Sequence, residues 1–174
     1  MIEHTDPLSR VILYPLLMGV ALFLLFCVDL ASIPSLIPYA YSLNLLLAGV
    51  FSLAILLPFS LPILPFFALG ILVDLMTSAP LGLNAAFYML SIAFTRWQWR
   101  YIAAQTFFVI WIAYGMVLFG FQVAGWMLMS LAERHIYSLQ VPVTGYLFAF
   151  MAFPLVFGLF KSLDRLLQSQ GSDA

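Results

Sequence analysis

Long apolar segments, almost free of charge, are the feature that most restricts what this chain can fold into. Only 7% of the 174 residues are charged, 65% are hydrophobic, and mean hydropathy is +1.11. A soluble domain carries roughly 25% charged residues, and one of this size could not hide so much apolar surface from water. Hydrocarbon as solvent removes that difficulty. It also demands that backbone polar groups be satisfied internally, so a spanning chain is helical or a closed barrel. Barrel strands alternate apolar and polar residues over short segments. Here the apolar runs are long and do not alternate, so the expected class is an all-α membrane protein.

Six segments are long or apolar enough to read as transmembrane helices: Val11–Val28, Tyr39–Leu57, Ile63–Thr77, Leu83–Thr95, Tyr101–Leu131 and Val141–Phe160. A signal peptide at the first is not expected, because the preceding residues carry little charge and no A-x-A-like cleavage site follows. Between the segments lie Leu30–Pro38, with two serines and two prolines, the Pro58–Pro62 hairpin, the turn Ser78-Ala79-Pro80-Leu81-Gly82, and a loop beginning at Glu133-Arg134-His135. The fourth segment is short for a bilayer core of about 30 Å. The fifth would measure roughly 46 Å as one helix, so it is expected to tilt strongly or to lay its first turns along the interface. Pro142 suits the first turn of the last helix, and Pro154 is placed to kink it. No internal repeat stands out, and residues 1–174 read as one integral membrane domain with a polar N-terminal segment (1–10) and a polar tail (161–174).

Six crossings put both termini on one side of the membrane. Arg10, Arg96, Arg100, Lys161 and Arg165 then share that side and Arg134 lies opposite. The positive-inside rule makes the shared side cytoplasmic. Arg96, Trp97, Trp99 and Arg100 form a dense polar and aromatic cluster of the kind that marks a membrane–water boundary.

Chemistry-bearing patterns are few. There is no phosphate-cradling G-x-x-x-x-G-K-[ST] loop and no G-x-G-x-x-G turn. His4 and His135 have no ligand-spaced partners, and no serine has an adjacent base to activate it. Cys27 reads as a buried small hydrophobe. A net charge of -1 leaves no basic surface for nucleic acid. The expectation is therefore no enzyme, no cofactor and no metal. Gly115, Gly120 and Gly125 recur every five residues, which is not the spacing of a helix-dimer motif. Asp74 is the exception, an ionisable residue inside an apolar run. It could cap the helix that follows, because free N–H groups at a helix start attract a carboxylate. A proton, ligand or partner site is the other reading.

The stretch Gly70-Ile-Leu-Val-Asp74-Leu75, followed by Ser78-Ala79-Pro80-Leu81-Gly82-Leu83, resembles the G-x-x-x-D-L-x-x-(G/S)-x-x-L-G pattern of the MreD family of rod shape-determining membrane proteins. Chain length, helix number, Pro154 and the tail Lys161-Ser162-Leu163-Asp164-Arg165 are similar too; Ser78 stands where glycine is frequent. The resemblance implies a non-catalytic scaffold for cell elongation and lateral peptidoglycan synthesis in a bacterial inner membrane. It implies direct binding of MreC, and MreB, RodA and a class B penicillin-binding transpeptidase in the wider complex. That fold is similar to the six-helix substrate-binding subunits of energy-coupling factor transporters, which makes a small-molecule-binding transporter subunit the alternative. Such subunits dock through an A-x-x-x-A pattern on the first helix, and Val11–Val28 contains only Ala21.

The charge distribution makes a direct prediction. A reporter active only in the periplasm, fused after Ala174, is expected to be silent, whereas a fusion near Ser138 is expected to be active. The opposite pattern overturns the six-crossing arrangement.

Overall fold

In a computed structural model, residues 7–31, 44–57, 62–77, 80–102, 105–132 and 140–169 are described. They form six α-helices and no strand: α1 (Pro7–Ala31), α2 (Leu45–Leu56), α3 (Ile63–Thr77), α4 (Leu83–Ile102), α5 (Phe107–Ala132) and α6 (Gln140–Ser169). The all-α class expected from the sequence is the observed one. Among the described residues, two helices, and not all of the six expected, are by length and composition sufficient to cross a membrane, over Phe107–Leu128 and Pro142–Leu166. Only 33% of each of these spans is buried, unlike the core helix of a soluble protein. Large apolar side chains such as Leu64, Met116, Leu131 and Leu155 are exposed.

Several boundaries differ from those read in the sequence. Helix α1 starts at Pro7, inside the expected polar segment, and runs through Leu30 and Ala31, the first two residues of the expected loop, the rest of which (32–38) lies outside the described residues; α4 does not stop at Thr95. It continues through the Arg96–Arg100 cluster to Ile102, because Arg, Trp and Gln are compatible with a helix and no proline or glycine interrupts them. Tyr101 therefore belongs to α4, and the single long helix expected from Tyr101 to Leu131 does not exist; α5 starts at Phe107. Helix α6 extends past Phe160 into the polar tail as far as Ser169. Cys27 is exposed on α1 rather than buried; it shares that outward face with Phe23, Val20 and Leu16, at helical spacings of three and four residues. Residues 58–61 of the expected hairpin, His4, Ser78 and the Glu133–His135 loop lie outside the described residues.

Helix α2 is the centre of the bundle. Leu46 to Ile55 are all buried, enclosed by contacts with α1, α4, α5 and α6. Its polar Ser52 is fully buried and donates to the Ala48 carbonyl at 2.7 Å, the local bond by which a hydroxyl is tolerated inside a helix. Ser91 and Thr95 on α4 do the same toward Phe87 and Ser91. Glycine allows close approach of neighbouring helices at Gly49, Gly70 and Gly115. A Cβ on Gly70 would lie 2.5 Å from the Ala85 nitrogen, so α3 and α4 meet backbone to backbone. A Cβ on Gly115 would lie 2.7 Å from the Phe150 ring of α6, whereas Gly120 faces open space.

An aromatic seam joins α2, α5 and α6. Tyr114 and Phe153 stack with centroids 4.2 Å apart, and Phe51 meets both rings. One turn away Trp111 stacks on Phe150 at 4.9 Å and donates its indole N–H to the Phe150 carbonyl at 2.9 Å. That carbonyl needs an outside donor. Its helical partner would be the N–H four residues later, and residue 154 is proline, which has none. Away from water an unpaired backbone group is costly, so the proline in α6 and the indole in α5 are one device.

Removing the indole donor in Trp111→Phe is expected to destabilise the protein by about 1–3 kcal/mol, the usual cost of orphaning a buried polar group. In a Pro154→Ala background residue 154 regains its N–H, so the same change is expected to cost less. Detergent-solubilised thermal unfolding of the four variants measures this coupling; strict additivity would refute it.

Candidate functional site

Asp74 lies one turn before the end of α3 and is only 1% exposed. A carboxylate group offers several acceptor sites, and this one is well supplied. Oδ2 accepts from the Gly82 N–H at 2.8 Å. Oδ1 accepts from the Asn84 N–H at 3.0 Å and from the Asn84 side-chain amide at 2.8 Å. These donors belong to the start of α4. The carboxylate thus folds back across the hairpin and satisfies N–H groups that a helix leaves free at its beginning.

Local sequence makes that possible. Leu83 N–H donates to the Pro80 carbonyl at 3.1 Å, closing the turn, and the Ala86 N–H donates to the Gly82 carbonyl at 2.8 Å, opening the helix. Gly82 therefore occupies the cap position, with φ +92°, a region where a side chain is strained. Gly70, one turn before Asp74, brings the two backbones together. The turn residue Leu81 and the motif residue Leu75 point outward, 73% and 63% exposed. The motif residues Gly70, Asp74, Pro80 and Gly82 thus converge on one hairpin, with Leu75 and Leu81 on its surface. The Arg96, Trp97, Trp99 and Arg100 cluster is not part of it. Those residues are carried toward the far end of α4, where Trp97 is 78% exposed and Arg96 half-buried.

A second carboxylate behaves in the same way and is not singled out by the sequence. Asp29, near the end of α1, is 6% exposed. Its Oδ1 accepts from the Leu45 N–H at 3.1 Å and its Oδ2 from the Leu46 N–H at 2.8 Å, at the start of α2. In the sequence Asp29 reads as the polar stop of an apolar run. The available signal is its setting, Val28-Asp29-Leu30, identical in type to Val73-Asp74-Leu75.

Two further polar groups lie inside the bundle. Tyr114 is fully buried and its hydroxyl has no hydrogen-bond partner among the described residues; Gln122 is 3% exposed and neither amide atom has one among them. The Gln122 amide abuts Gly145 of α6. Among the described residues no three His, Cys, Asp or Glu side chains converge to hold a metal ion. Both Asp74 oxygens and both Asp29 oxygens are turned to helix N–H groups, so what this arrangement can do is hold hairpins closed. No protein-family model matches the chain, and neither a curated protein nor a solved structure matches it.

Asp74→Ala leaves two backbone donors and one amide without their acceptor. The expected loss is about 1–3 kcal/mol for an unsatisfied buried group. Asp74→Asn retains an acceptor oxygen and is expected to be partly tolerated. Thermal stability and abundance in detergent, measured beside cellular complementation, separate this from chemistry at the carboxylate. Equal inactivity of both variants at parental stability would mean that Asp74 serves something other than the cap.

Proposed function

We propose that this protein is a non-catalytic membrane scaffold of bacterial cell elongation, of the MreD kind, lying in the inner membrane with six crossings and both termini in the cytoplasm. The observation that carries the reading is the Gly70–Leu83 stretch. The residues that resemble the family's pattern are those that this one hairpin requires: a close approach at Gly70, a carboxylate at Asp74 and a left-handed turn at Gly82. A pattern with a mechanical reason for its spacing is a firmer basis for a resemblance than composition alone.

In this reading the direct partner is MreC, and MreB, RodA and a class B penicillin-binding transpeptidase belong to the wider assembly. The exposed apolar faces of α1, α3 and α5 meet lipid or partner helices. The protein's contribution is a rigid shape, with hairpins closed by buried carboxylates, against which other membrane proteins are positioned. Helices α2 and α3, with 12 and 15 residues, cover only about 18 and 22 Å, less than the hydrocarbon core of about 30 Å. Helix ends that fall short of the surface lack water to satisfy them, which gives the carboxylate caps their importance in this setting.

Deleting the gene is expected to round or swell the cells and to disturb lateral wall insertion, with no new nutrient requirement. Capture of the protein from mild detergent is expected to recover MreC. Unchanged shape together with a new vitamin requirement would assign the chain to the transporter subunits instead.

A further inference from the structure

We propose that α1–α2 and α3–α4 are two copies of one clasped hairpin, in which Asp29 performs for the first pair what Asp74 performs for the second. Four independent correspondences lead to this. Each carboxylate sits in a Val-Asp-Leu tripeptide near the end of its helix, Val28-Asp29-Leu30 in α1 and Val73-Asp74-Leu75 in α3. Each reaches the second residue of the next helix, Leu46 at 2.8 Å and Asn84 at 3.0 Å, and one further N–H, that of the first helical residue Leu45 in one case and of the cap residue Gly82 in the other.

The third correspondence lies in the backbone. Among the described residues only Asn44 and Gly82 have positive φ, +53° and +92°. They occupy the same place. The Asn44 carbonyl accepts from Ala48 and the Gly82 carbonyl from Ala86, so each is the cap residue of its helix. A cap residue ordinarily has extended backbone and uses its own side chain to hold the first N–H groups. A left-handed cap cannot do so in that geometry, and Asn44 makes no side-chain cap bond to α2. The acceptor has to come from elsewhere, and in both cases it comes from the aspartate of the preceding helix. Fourth, the residues that follow agree in kind, Leu45 and Leu83 at the first helical position and Ala48 and Ala86 at the fourth.

The two units pack through α2 and α4, with α1 and α3 on their outer sides. The third pair, α5–α6, is built differently; its links include the Trp111 indole on the Phe150 carbonyl and the stacked rings of Tyr114 and Phe153. Similarity hidden in so few residues escapes a search for sequence repeats, because the connections differ in length. Asp74 is ten residues from Asn84, whereas Asp29 is seventeen from Leu46.

Amide hydrogen exchange of the whole protein in detergent, with an exchange of cap residues, tests the equivalence. Asp29→Ala is expected to speed exchange at Leu45 and Leu46 by about tenfold or more, and Asp74→Ala to do the same at Gly82 and Asn84, each leaving the other cap protected. Should an alanine variant not fold, the Asn variants are expected to give the same local pattern at smaller amplitude. Asn44→Gly is expected to keep the parental melting temperature and Gly82→Asn to lower it only slightly, since asparagine tolerates left-handed backbone better than other side chains and a Cβ at Gly82 meets open space. Asn44→Val and Gly82→Val are expected to lower it. Unchanged exchange at Leu45 and Leu46 in Asp29→Ala, or a Gly82→Asn protein as unstable as Gly82→Val, overturns the proposal.

Discussion

The bundle rests on how a helix can begin where water does not reach. Four N–H groups at every helix start lack a partner, and in an apolar setting each costs several kcal/mol if left so. This chain supplies acceptors from outside the helix. Asp29 and Asp74 are buried at 6% and 1% exposure, an expensive position for a carboxylate without compensation. Their compensation is the same set of N–H groups that need them. Two liabilities, a buried carboxylate and an open helix start, meet in one contact, and the partial positive charge of the helix terminus favours it.

Once α2 and α4 have fixed starting points, the remaining packing follows. Gly70 lets α3 lie against the Ala85 backbone, and α2 is enclosed so completely that ten successive residues from Leu46 to Ile55 are buried. The aromatic seam of Phe51, Tyr114 and Phe153 then attaches α5 and α6. The same principle recurs there in another form. Pro154 withholds one N–H from α6, and Trp111 supplies one from α5.

Much of the Asp74 hairpin is legible in the sequence. The carboxylate, the Pro80–Gly82 turn and the start of α4 lie within ten residues, so the cap can be read from adjacency alone. Asp29 is not legible in that way. Its partners are sixteen and seventeen residues distant, beyond a segment rich in serine and proline that gives no register. The end of α4 is misread for a different reason. Arg96-Trp97-Gln98-Trp99-Arg100 looks like a boundary by polarity, but polarity does not stop a helix when every residue is an acceptable helix former. Cys27 shows a third limit, because a small apolar residue is compatible with either face of a helix whose outward side is also apolar.

The all-helical class and the apolar segments follow from residue order alone, because hydrophobicity, proline placement and turn residues act over a few neighbours. So does the start of a helix at Gly82, since only a residue at ease in left-handed backbone fits a turn so tight. Three other features wait for the helices to meet: Asp29 capping α2, Gly70 rather than another glycine setting the α3–α4 distance, and Trp111 satisfying the Phe150 carbonyl. Each of those contacts joins different helices. The residue types permit many such pairings, and a particular one is selected only when the buried N–H and C=O groups of the whole bundle must find partners at once.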